Sequence, residues 1–386
     1  MYREAILMIL SGRSKFIAIL LGVGFSSLIM LQQPAIFLGL MDRTYSLITD
    51  AGNVDVWVMD PQVMFIDDAK PISEKEIYRI KGVIGVEHAY PMFKGVVRAR
   101  TRNGQFLTIT LIGVDDQSLV GAPQKILSGT KNSLRNSNTI IISDFISKDR
   151  LAVSLADGKK RTMQVGDCFE LNDHRTIVGA IARLTPNFAS KPVAYTTYSC
   201  AMKYSPTERN RLSYILVQVA KGHRPEDVAR RISRHTQLLA LTSEQFSKRT
   251  YKYYIENTGI PINFAATVVL GFIIGASIVA QTFYQFLQEN LMNYNVLRAL
   301  GIRDGDIAKM IAIQVIFCGF LGYILGVGSA LALGEVIKHT QLAFRMPGSL
   351  MGIVFGLVFI ICIPVAYFAV RRIRLSKPAD VFRGGL

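Results

Sequence analysis

Residues able to do chemistry are few in this sequence and stand apart from one another. Five histidines occur singly, at 88, 174, 223, 235 and 339, with none of the paired spacing that holds zinc on one helix face. The four cysteines form no CxxC pair. Cys168 and Cys200 could join in a disulfide in an oxidising compartment, whereas Cys318 and Cys362 fall in apolar runs, where a thiol is a small packing group. No GxxxxGK[ST] loop is present to cradle a nucleotide phosphate, no GxSxG elbow to raise a serine, and no HExxH to activate a zinc-bound water. We therefore expect no catalytic residue, no metal and no cofactor held by this chain itself.

Dominating the sequence instead are four stretches without a charged side chain: 16–41, 257–288, 310–334 and 346–370. Each is about 25 residues or longer, enough for a helix to cross a hydrocarbon core of roughly 30 Å. The first is too long for the apolar part of a signal peptide and reads as a retained helix. Acidic side chains are absent from all four runs, which argues against an ion or proton relay. Arg3, Arg13 and Lys15 precede the first run, and Arg371, Arg372, Arg374, Lys377 and Arg383 follow the last. Lys and Arg mark the cytoplasmic side of spans, so both termini are expected in the cytoplasm of an inner-membrane protein. Residues 1–15 then form an interfacial helix, 42–256 an extracytoplasmic domain, 289–309 a cytoplasmic segment, 335–345 an external turn and 371–386 a cytoplasmic tail. The last three runs carry glycine pairs four apart, Gly271 with Gly275, Gly322 with Gly326, and Gly352 with Gly356. Small residues at that spacing let helix backbones approach, within a chain or between copies.

The net charge of +16 divides along the chain. Residues 42–256 hold 31 Lys and Arg against 22 Asp and Glu, or +9, and no stripe of basic and aromatic residues points to nucleic acid. In an exported domain that charge fits anionic lipid headgroups or an acidic partner. Strand alternation over 53–59 is followed by a helix over 73–81 with Ser73 and Glu76 as a capping box. Strands at 96–102 and 105–114 meet at the turn-forming pair Asn103–Gly104. Residues 115–205 read as short strands between polar turns, a β-rich insert. The α/β pattern resumes with a strand at 211–220, a helix opening on Pro225, and a helix opening on Thr242 with Gln245 as capping partner. The expected architecture is a bundle of four transmembrane helices with a large α+β domain between the first and second. Its α/β parts are 42–114 and 206–256, with 115–205 as the insert.

Past Glu289 the second run continues at helical spacing through Leu291, Tyr294, Leu297 and Leu300, and Gly301 offers a C-cap. The segments GVGFSSLIMLQQ, NTGIPINF, GFIIGASIVAQTFYQF, NLMNYNVLRALG and KPADVFRGG, with the one-plus-three topology, resemble ABC-transporter permeases of the FtsX and MacB type. The similarity is greatest to the DevC subgroup, covers essentially the whole chain, and implies a porter-like α/β part with a β-rich insert. It further implies that Asn293, Tyr294, Val296, Leu297, Arg298, Ala299, Leu300, Gly301 and Ile302 match the segment that docks on the ATPase. Many relatives carry a glutamate where this chain has Asn293. The same resemblance implies a homodimer and a separate ATPase subunit that binds ATP and magnesium, with a periplasmic adaptor and an outer-membrane channel. The expected function is export of a lipid-like or amphipathic substrate. Within the same fold the alternatives are a lipoprotein-releasing permease and a regulator of envelope hydrolases; outside it, a non-transporting membrane receptor.

Overall fold

A computed structural model of the chain describes residues 2–101, 104–148, 151, 153–154, 160–188, 191–205, 211–338, 340 and 342–375. It divides into two compact units, Met1–Leu40 with Gly259–Leu386, and Met41–Thr258. Asn103, His339 and the segment KPADVFRGG lie outside the described residues. The chain opens with α1 (Tyr2–Ser11) and the long α2 (Arg13–Thr44).

The second unit is built on one mixed sheet. In chain order it holds α3 (Ser46–Asp50), β1 (Val56–Met59), β2 (Ile72–Ser73), α4 (Lys75–Lys81), β3 (Val86–Arg100), β4 (Phe106–Val114), β5 (Ile126–Gly129), β6 (Thr139–Ser143) and α5 (Asp144–Lys148). It continues with β7 (Val153–Ser154), β8 (Lys160–Arg161), β9 (Cys168–Leu171), β10 (His174–Ala182), β11 (Val193–Thr197), α6 (Tyr198–Tyr204), β12 (Arg211–Leu212), β13 (Tyr214–Val219), α7 (Pro225–Thr236), β14 (Leu239–Thr242) and α8 (Ser243–Asn257). The main sheet runs β14-β1-β13-β3-β4-β11-β6-β10-β5, with β9 against β10 and β3. All four residues of β1 are buried, because both faces of the sheet are covered there. Val56 and Val58 join Ile80 of α4 and Val228 and Ile232 of α7. Trp57 and Met59 face the other way, with Tyr214 and with Phe246 of α8.

Residues 115–205 are β-rich, and β5, β6, β9, β10 and β11 extend this sheet while β7 and β8 pair apart from it. β11 runs parallel to β4, from Val193 beside Thr110 to Thr197 beside Val114. Ile141, Ala180 and Tyr195 share one core cluster with Trp57 and Tyr214, so the insert and the flanking parts bury their apolar faces together.

Of the two expected capping boxes, the one at Thr242 forms: Gln245 N–H donates to Thr242 Oγ1 at 3.2 Å and Gln245 Oε1 accepts from Thr242 N–H at 3.1 Å. The one at Ser73 does not. Ile72 and Ser73 pair as strand residues with Leu212 and Arg211, which buries Ile72 and delays α4 to Lys75. Glu76 is instead bonded to Arg79 at 3.0 Å. The strand expected at 211–220 is interrupted at Ser213, whose hydroxyl accepts from Lys94 N–H at 2.8 Å. At the β3–β4 turn Gly104 takes a φ of +76°, a region glycine enters at little cost.

The first unit is helical. After α8 the chain is extended at Thr258 (φ −123°, ψ 148°). Three helices follow: α9 (Ile260–Ala299), α10 (Asp304–Lys338) and α11 (Gly348–Leu375). Pro261 sits in the first turn of α9, where its missing N–H leaves no intrahelical bond unmade. Among the described residues, α2, α9, α10 and α11 are each long and apolar enough to cross a membrane. All four helices overrun their uncharged stretches, since charged flanks end burial in lipid without ending the backbone ladder. The 40 residues of α9 measure about 60 Å, twice the hydrocarbon core. Residues 289–299 are the last turns of α9, and the loop proper is 300–303.

Candidate functional site

The helical hairpin of α9 and α10 carries all nine residues matched to the docking segment, and its turn is built to hold one shape. At the end of α9 the Gly301 N–H donates to the Arg298 carbonyl at 3.0 Å and the Ile302 N–H to the Leu297 carbonyl at 3.2 Å. That pair of bonds is the glycine-terminated helix end in which the residue past the cap turns left-handed. Gly301 has the required φ of +87°, which a side chain would strain. Arg298 Nε donates across the turn to Asp304 Oδ1 at 2.9 Å. Asp304 and Asp306 place negative charge on the first turn of α10, where the helix dipole favours it.

The nine residues divide by direction. Tyr294 is buried, and its hydroxyl donates to Gln314 Oε1 of α10 at 2.8 Å. Leu297 and Ile302 pack against the bundle core around Phe283, Phe286, Leu287 and Ile311. These residues and Arg298 are engaged within the chain. The other face is open. Val296 is 44% and Leu300 75% exposed, and Met292, one turn earlier, is 60% exposed. Asn293 and Ala299 are exposed beside them, and Gly301 lies at the apex. Sequence reasoning missed Met292. The signal was there in the spacing 292, 296, 300, a stripe one turn apart, but Leu291, Tyr294 and Leu297 compete for attention at the same period. Leu300, grouped with those three by spacing, faces out because it caps the helix.

Behind the turn, the bundle closes around α2. The first two glycine pairs face it. A Cβ on Gly271 would stand 2.6 Å from Ile29, and one on Gly275 would overlap Ser26, whose hydroxyl donates to the Gly271 carbonyl at 3.2 Å. A Cβ on Gly322 would meet Val23 at 2.5 Å, and one on Gly326 would meet Ser27. The third pair is different: nothing among the described residues lies within 4 Å of a Cβ on Gly352 or Gly356. Where uncharged α9 ends, Glu289 pairs with Lys15 of α2. α9 is thus tied to α2 by glycine contacts and an ion pair, and to α10 by the Tyr294 hydrogen bond.

Other candidate groups do not converge. Cys168, Cys200, Cys318 and Cys362 are free thiols, and among the described residues no three His, Cys, Asp or Glu side chains are placed to hold a metal.

Comparison with known proteins gives this geometry a family. A model of the MacB-like periplasmic core domain matches residues 16–235, more than half of the chain. A model of the FtsX-like permease C-terminal domain matches residues 265–378, which contain the whole α9–α10 turn. The chain belongs to the FtsX- and MacB-like family of ABC transporter permeases. This permease is 24% identical over 241 residues to the uncharacterized ABC transporter permease MJ1507 of Methanocaldococcus jannaschii, an alignment covering 58% of this chain and 59% of that one. The permease therefore spans under two thirds of that relative's length. Among solved structures, it is similar to the periplasmic region of MacB from Actinobacillus actinomycetemcomitans, with 14% identity and a TM-score of 0.38, covering 55% of this chain and 96% of that one. It is also similar to the extracellular domain of the transporter YknZ from Gram-positive bacteria, with 16% identity and a TM-score of 0.33, covering 47% and 90%.

Proposed function

We propose that this permease is the membrane subunit of an inner-membrane ABC exporter, and that the open face of the α9–α10 turn seats it on a separate ATPase subunit. The observation that carries the proposal is the stripe of Met292, Val296 and Leu300, three large apolar side chains left exposed at the end of a hairpin whose turn is held by the Gly301 and Ile302 N–H bonds and the Arg298–Asp304 pair. Such a patch at the water-facing end of a bundle fits a protein partner that covers it. The bonded turn explains why docking there is effective: a push on Leu300 moves α9 and α10 rather than deforming a loop.

In this reading ATP and magnesium bind the ATPase, both termini of the permease lie on the ATPase side, and two copies of the chain work as a dimer. Closure of the ATPases shifts α9, and α2 follows through Gly271, Gly275 and Lys15. The α/β domain inserted between α2 and α9 then changes state and passes a lipid-like or amphipathic substrate to a periplasmic adaptor and outer-membrane channel, as in a DevC-type assembly.

The double substitution Val296→Asp with Leu300→Asp tests this reading. We expect the full-length variant to remain folded in detergent and to lose co-purification with its cognate ATPase by at least tenfold. Undiminished co-purification contradicts the proposal.

A further inference from the structure

Between α9 and α11 the bundle leaves an open groove of about 670 Å³. Its lining includes Ala276 and Ala280 of α9 and Pro364 and Ala369 of α11. Its floor is buried, with Phe283 1%, Ile361 5% and Val365 8% exposed, and its rim is open, with Tyr284 50%, Ile360 55% and Phe368 61% exposed. The lining is apolar except for the Tyr284 hydroxyl and, at one end, Arg371.

Its length gives the occupant. From Ile360 to Arg371 the groove follows α11 for about 16 Å, close to the ~15 Å depth of one leaflet's hydrocarbon. One end therefore lies near mid-membrane and the other, with Arg371, at headgroup level. This end of α11 neighbours the half of α9 that leads to Leu287 and the docking turn. We infer that the groove binds an anionic phospholipid of that leaflet, with an acyl chain along Ala276 and Ala280 and the phosphate on Arg371. A guanidinium suits the site because it pairs with phosphate through two parallel hydrogen bonds and carries a long apolar stem. The bound chain fills a gap in the packing between α9 and α11, and so holds α9 in position beside the turn. The inference rests on α9 and α11 being membrane spans, and not on what docks at the turn.

Native mass spectrometry of the full-length protein, equilibrated in vesicles of equal parts phosphatidylglycerol and phosphatidylcholine, tests it. Wild type is expected to retain a phospholipid with preference for phosphatidylglycerol. Ala280→Trp, which fills the groove, should lose that lipid. Arg371→Gln, at an exposed position that leaves the fold intact, should keep a lipid while its preference for the anionic headgroup falls about fivefold, the factor one interfacial basic residue supplies. Equal lipid retention by wild type and Ala280→Trp overturns the inference, as does an unchanged headgroup preference in Arg371→Gln. A dimer that carries no lipid and falls apart on Ala280→Trp would show that a second copy of the chain fills the groove, and overturns it too.

Discussion

Gly271 with Gly275 and Gly352 with Gly356 share a spacing and an apolar setting, yet the first pair meets Ile29 and Ser26 of α2 while the second meets nothing within the described chain. The α9–α10 turn repeats the contrast. Tyr294 and Leu297 turn inward, whereas Val296 and Leu300, a few positions away, turn out. A residue type at a given spacing permits a contact; the shape of the facing element decides whether it is made. Where an inward position is engaged within the chain, its outward neighbour is left exposed.

The largest expected effect separates the two glycine pairs. Gly275→Leu forces Ser26 and α2 aside and should lower the stability of the bundle by about 1–3 kcal/mol, read as a fall in thermal midpoint in detergent. Gly356→Leu should stay within about 0.5 kcal/mol of wild type. Equal losses would break the comparison. If instead Gly356→Leu keeps its stability but lowers the dimer fraction in chemical cross-linking, the third pair belongs to the contact between copies.

A smaller contrast is set by the two capping signals. Thr242→Ala removes a formed cap and should cost about 1 kcal/mol. Ser73→Ala, where the helix starts two residues later, should cost under about 0.5 kcal/mol. Denaturant midpoints of the two variants check this, and a Ser73→Ala loss as large as that of Thr242→Ala would contradict it.

Charge gives the smallest. Burial raises the carboxyl of Asp50 above its usual range, against hydrogen bonds from the Thr185 N–H and hydroxyl and the charge of Lys125. Exposed Asp227 is lowered by its hydrogen bond from Arg230. A carboxyl that binds its proton more tightly when folded stabilises the fold only as pH falls through that raised pKa, and costs stability above it. Asp50→Asn should therefore be slightly more stable than wild type at neutral pH, with the advantage shrinking on acidification. Asp227→Asn should show the opposite sign, a small loss at neutral pH that disappears in acid. Matching pH profiles for the two would contradict the assignment.

Much of the fold was legible in the sequence because its signals are additive over many residues. Four uncharged runs, the Thr242 cap and the turn glycine Gly301 each stand on local chemistry. What was not legible depends on partners far along the chain. The Ser73 box lost to pairing with Arg211 and Leu212. Most of the insert's strands joined the main sheet because β4 offered β11 an edge. At the turn, the continuation of the helix past Glu289 was readable but its division into inward and outward faces was not, since Tyr294 is fixed by Gln314 twenty residues on. Met292 was missed because Leu291, Tyr294 and Leu297 offer the same helical period.

The central claim is that the outward face, and not the inward one, meets the ATPase. A photo-crosslinking amino acid placed at Leu300 and, separately, at Tyr294 tests it in membranes that hold the cognate ATPase. A crosslinked permease–ATPase product is expected from position 300 and none above background from position 294. A product of equal yield from 294, or none from 300 in a folded protein, would contradict it.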